Sequence, residues 1–212
     1  TLRNGATVYI WEDKSKPDVF GMIAFKVGSV DDPEQYTGLA HYLEHVMFKG
    51  TQTIDALDWE KEKPIYEKII AKYDERAALS DPAAREAIDK EINDLTREAA
   101  QYAAGNEFSL LVDHMGGQGL NASTGYDQTE YHNSFPPSQL EKWLEIYSER
   151  LIDPVFRGFQ TELEAVYEEY NMYNDDRGSR MREFIYEQAF GDHPYALSLI
   201  HISEPTRPEP IS

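Results

Sequence analysis

The apolar positions change period along the chain. Residues 6–11 place Val8, Tyr9, Ile10 and Trp11 behind an Asn4-Gly5 turn and predict an opening strand. Residues 19–27 are mostly apolar, the pattern of a strand buried on both faces. The spacing then turns helical. Ile65, Ile69 and Ile70 make one stripe; Ile88, Ile92, Leu95, Ala99 and Tyr102 make a second. Between them Ser80-Asp81-Pro82 supplies a break, a capping aspartate and a first-turn proline. Residues 58–105 therefore predict a charged helical hairpin. A short helix over 107–115 stops at Gly116-Gly117. Residues 119–124 and 129–133 read as paired strands. Leu140, Trp143, Leu144, Tyr147 and Leu151 line one face of a helix that ends at Asp153-Pro154. A helix over 159–173 and, past Gly178-Ser179, another over 180–190 follow.

Composition narrows the function. The 212 residues suffice for one domain with a real core. With 39 acidic against 20 basic residues, the net charge of −19 argues against nucleic acid, which calls for basic patches. Such acidity keeps a surface soluble and does not define a substrate. There is no cysteine, so no disulfide and no thiolate ligand. No apolar run has the length of a membrane span. Thr1 is not an initiator methionine, so the lack of a visible signal peptide decides nothing.

One stretch changes the picture. His41-Tyr42-Leu43-Glu44-His45 reads H-x-x-E-H. On a helix, His41 and His45 share a face one turn apart and can grip one Zn²⁺. Glu44 lies on the same side, placed as a general base for water at the metal. A five-residue pattern also arises by chance on surface helices, so its flanks matter. A catalytic zinc needs one more protein ligand, commonly a carboxylate. Glu162 and Glu169 are seven residues apart and share a helix face, while Glu168 is rotated from Glu169 by about 100°. Spacing alone does not separate Glu168 from Glu169. His114, His132 and His193 have no ligand spacing and are read as ordinary histidines.

The run from Gly38 to Thr51 closely resembles the catalytic helix of the insulinase/pitrilysin family of zinc metallopeptidases. The opening Leu2-Arg3-Asn4-Gly5 and the stretch Asn121-Ala122 through Tyr131 are similar to further family segments. The resemblance implies an α+β fold: a mainly antiparallel sheet with helices packed on one face, and the hairpin as an insertion. It implies one Zn²⁺ held by His41, His45 and Glu169, with Glu162 in support behind them and Glu44 as the base. It makes the strand carrying Asn121 and Ala122 a sheet edge that pairs with substrate backbone. Phe48, one turn past His45, is expected either beside the metal or in the core.

The implied activity is zinc endopeptidase action on peptides or unfolded polypeptides. A non-catalytic scaffold or processing-complex subunit of the same family is the alternative, but such members typically lose the motif. The resemblance runs through residues 1–196, which are expected to be a truncated N-terminal catalytic domain, weak or inactive without further domains or a partner subunit. Residues 197–207 match the translation of a transposase sequencing adapter, so 197–212 is read as an adapter-derived tail.

Overall fold

The computed structural model describes residues 1–33 and 36–196; the adapter reading of 197–212 falls outside them. Three strands, β1 (Val19–Phe25), β2 (Gln118–Thr124) and β3 (Thr129–Phe135), form an antiparallel sheet in the order β1-β3-β2. The helices are α1 (Leu39–Val46), α2 (Trp59–Ala78), α3 (Pro82–Ala99), α4 (Glu107–His114), α5 (Leu140–Ile152), α6 (Phe159–Asp175) and α7 (Arg177–Phe190). The α+β class expected from the sequence is the class observed.

Central strand β3 alternates strictly, burying Thr129, Tyr131, Asn133 and Phe135 on one face. Phe108, Val112, Trp143, Ile146 and Tyr147 from α4 and α5 pack onto that face and make the main core. The buried Asn133 is satisfied: its Oδ1 accepts from Trp143 Nε1 at 2.8 Å and from the Tyr147 hydroxyl at 2.7 Å. Gly21 of β1 is required there, because a Cβ would lie 2.6 Å from the Trp143 ring. Helix α1 is fixed to α6 by Tyr42, Val46 and Val166, and the Tyr42 hydroxyl donates to the Phe159 carbonyl at 2.6 Å. The hairpin of α2 and α3 closes around its own cluster of Ile65, Ile69, Ile88, Ile92 and Ala99. Asp58 and Asp81 cap its two helices by accepting from the Lys61 and Ala84 backbone N–H groups.

Four expectations are corrected. Residues 6–11 form no strand, and Tyr9, Ile10 and Trp11 are at least 90% exposed. Strand propensity reflects fit to a half-buried surface, and no such surface receives this segment among the described residues. Strand β1 is not buried on both faces: Phe20 and Met22 point away from the helices, and no layer covers them among the described residues. On α5 the inner stripe is Trp143, Ile146, Tyr147 and Arg150, while Leu140 and Leu144 are exposed. A buried arginine held between rings completes this stripe, and an apolar count passes over it. The last break falls at Asp176, whose carboxylate caps α7 by accepting from the Ser179 N–H at 2.7 Å. A capping carboxylate marks that boundary better than the glycine two residues on.

Candidate metal centre

The centre starts from how α1 is begun. Gly38 stands at its N-cap with φ 83°, a left-handed backbone suited to glycine, and offers no side chain to cap the helix. Asp32 does so from the preceding loop. Its Oδ2 accepts from the Gly38 N–H at 2.7 Å and its Oδ1 from the Ala40 N–H at 2.8 Å. Burial nevertheless pushes the Asp32 carboxyl above its ordinary pKa. The helix so anchored presents His41 and His45 one turn apart, ring centroids 4.8 Å apart and planes nearly perpendicular.

Two Nε2 atoms face each other at 3.3 Å. Glu169, from α6, brings Oε2 to 3.6 Å from both. These three groups form a metal-competent set, with ligand atoms within 4.8 Å of one another. Donors about 2.0–2.1 Å from one tetrahedral ion stand roughly 3.3 Å apart, so the triangle fits such an ion. The electrostatics agree. Burial, then the neighbouring His45, holds His41 down to a pKa of about 4, leaving a neutral imidazole with a free lone pair. His45 is shifted upward, first by the Glu162 carboxylate beside its Nδ1 and further by the Glu169 and Glu44 charges.

The remaining predicted residues fall around this triangle. Glu44 is buried, and its Oε2 accepts from the Thr124 hydroxyl at 2.6 Å. Burial raises its pKa, against the lowering effects of Thr124 and His45. Glu162 Oε2 stands 3.6 Å from His45 Nδ1, behind the ring that faces Glu169. Its pKa is lowered, chiefly by the neighbouring His45 imidazole. Glu164 and Glu168 face solvent. Asn121 is exposed on β2, an edge strand, with Ala122 partly buried against the core. Phe48 takes the core position of its two alternatives, packing on Phe108 and Tyr131 beneath the Arg150 guanidinium, 4.4 Å from its ring.

Sequence reasoning missed four residues here. Asp32 and Thr124 act through hydrogen bonds across gaps that no spacing rule covers. Lys49 makes an ion pair with Glu162. Arg150 is fully buried, its three nitrogens without a hydrogen-bond partner among the described residues and its guanidinium stacked against four aromatic rings, and burial lowers its pKa to about 10. Only a charged residue at a core-facing helical position, 150 after 143 and 147, hinted at it.

Comparison with known proteins places the chain. Residues 7–64 and 92–202 match the family described as Insulinase (Peptidase family M16). The unmatched stretch 65–91 lies within the hairpin of α2 and α3. Protease 3 of Escherichia coli is 39% identical over 57 residues, covering 27% of this chain and 6% of that protein. Zinc protease PqqE of Helicobacter pylori is 25% identical over 199 residues, covering 92% of this chain and 34% of that protein. The crystal structure of a protease from Helicobacter pylori superposes with a TM-score of 0.61 at 21% identity, over 89% of this chain and 34% of that one, which shows a shared fold. The chain thus spans about a third of the Helicobacter relative and less of the other.

Proposed function

The chain belongs to the insulinase family of peptidases, and on that premise we propose that it carries a zinc-dependent endopeptidase site for peptides and unfolded polypeptides. The observation that carries this reading is the triangle of His41 Nε2, His45 Nε2 and Glu169 Oε2, with edges of 3.3 and 3.6 Å. The Helicobacter relative, named a zinc protease, supports the choice of metal. His41, His45 and Glu169 would hold the ion. When bound, zinc would polarise the scissile carbonyl and lower the pKa of water.

The chain's own residues do the rest. Glu44 takes a proton from the attacking water, holds it on its carboxylate and returns it to the leaving amine. Its burial favours that role, because desolvation makes the carboxylate a better proton acceptor. Thr124 holds one of its oxygens, which orients the other. Asn121 and Ala122 receive the substrate main chain along the edge of β2, so that binding depends little on side-chain identity. Further domains of the same polypeptide, or a partner subunit, enclose the peptide.

The test compares the protein, together with the further domains or partner subunit that enclose the peptide, with its Glu44→Gln form for zinc content and for cleavage of a fluorogenic peptide mixture. Both forms should hold one zinc, and the variant should cleave at least about 100-fold more slowly, the low end for loss of a general base. Zinc lost from the variant, or undiminished cleavage, contradicts the base. No zinc in either form contradicts the metal assignment and favours a non-catalytic scaffold.

A further inference from the structure

The two histidines of the centre are not held alike. His41 Nδ1 is buried with no hydrogen-bond partner among the described residues. His45 Nδ1 faces the carboxylate of Glu162. A ligating histidine is normally oriented by what its second nitrogen donates to, so His45 is the one whose ring is set from behind. Yet His45 also lies between two carboxylates, with Glu162 on Nδ1 and Glu169 on Nε2, each at 3.6 Å. Something must keep Glu162 on the Nδ1 side.

Lys49 occupies that place. It follows His45 by four residues, just past the end of α1, and its ammonium pairs with Glu162 Oε1 while Oε2 is left to His45. Its own backbone is pinned as well. Arg157 Nη1 donates to the Lys49 carbonyl at 3.0 Å. The same guanidinium forks onto Glu62, with Nε at 2.6 Å from Oε1 and Nη2 at 2.8 Å from Oε2. Glu62 is 1% exposed and belongs to α2, the first helix of the hairpin. A continuous chain of contacts therefore runs from the root of the hairpin through Arg157, Lys49 and Glu162 to His45. The Lys49–Glu162 pair also lines a cleft of about 520 Å³ between the hairpin and the start of α6.

We propose that Lys49 is a positioning residue for the metal centre: by tethering Glu162 it fixes the tautomer and ring direction of His45, with Nε2 toward the ion. This rests on the zinc reading above but concerns binding, not turnover. Removing the ammonium frees Glu162 from its tether and withdraws its charge balance. The carboxylate then competes with Glu169 for the same imidazole, and the donor triangle loosens.

The test is zinc affinity, measured by chelator competition on the parent, Lys49→Met, Lys49→Gln, Lys49→Arg, Glu162→Gln and the Lys49→Met/Glu162→Gln double variant. Metal-free melting temperatures are recorded beside it. Lys49→Met and Lys49→Gln should each bind zinc about 10–100-fold more weakly, the range for loss of an outer-shell partner of a metal ligand. Lys49→Arg keeps the charge and should stay within about threefold of the parent, far less than that outer-shell loss. Adding Lys49→Met to Glu162→Gln should cost little more, because the two act as one unit. If Lys49→Met does not fold, Lys49→Gln decides. Near-parental affinity in the neutral variants, or additive losses in the double variant, overturns the proposal. So does a zinc loss that Lys49→Arg fails to rescue. A parent that binds no zinc overturns the metal reading as well, which separates the two failures.

Discussion

At the scale of the residue, ligand identity turns on one helix register. Glu169 faces both histidines while Glu168 faces solvent. Glu169→Gln should therefore weaken zinc binding at least about 10-fold, whereas Glu168→Gln, a surface change, should alter it little. Equal affinities in the two variants, read by the same chelator competition, would mean the register is wrong. The protonation states give a second expectation. His45 titrates above the ordinary histidine value and His41 near 4, so in the metal-free protein His45 is the first to gain a proton as pH falls. Zinc must displace that proton, so affinity should fall with decreasing pH once below the raised His45 pKa. Zinc titrations between pH 8 and 6 check this; affinity that rises toward pH 6 would contradict the assignment. His41, Glu44 and His45 were legible because their chemistry is written in adjacent turns of one helix. Glu169 required the family resemblance to part it from Glu168. Lys49, Thr124 and Arg150 were not legible, since each acts through a contact made only once the chain is folded.

At the scale of the element, α1 has eight residues, too few to be stable without external support. Asp32 supplies two acceptors at its start, and Tyr42 and Val46 bury its inner face. Asp32→Ala should cost about 0.5–2 kcal/mol of stability, the usual range for a lost N-cap, with Asp32→Asn costing less because one acceptor remains. Urea unfolding measures it; a loss below about 0.5 kcal/mol would place the cap's contribution in the range of a featureless surface change. The hairpin was readable from Ile65, Ile69, Ile88, Ile92 and Ala99, which bury as their spacing requires, whereas Ile70 of the first stripe is 45% exposed. The opening strand was misread because Val8, Tyr9, Ile10 and Trp11 have strand composition but no partner edge or surface to cover among the described residues. Composition reports what a segment tolerates, and pairing depends on residues far away in sequence.

At the scale of the whole molecule, the sheet has helices on one face and, among the described residues, bare side chains on the other. Phe20 is 59% exposed and Met22 44% on β1, which is itself an edge strand. Edges and apolar patches of this kind invite pairing with another chain. Expressed alone, the chain should self-associate as its concentration rises, and the double change Phe20→Lys/Met22→Lys should reduce that association. Sedimentation velocity across a concentration series reads the difference; a strictly monomeric parent would contradict it. The candidate metal centre stands apart from this surface, held between α1, α6 and β2 on the helical side of the sheet. It should therefore keep its geometry in the solubilised variant. The most direct test of the centre is anomalous diffraction at the zinc edge from crystals of the zinc-loaded protein. One peak is expected, within bonding distance of His41 Nε2, His45 Nε2 and a Glu169 oxygen, with Glu162 on the far side of His45. A peak coordinated by other residues, or none at these three, would contradict the assignment.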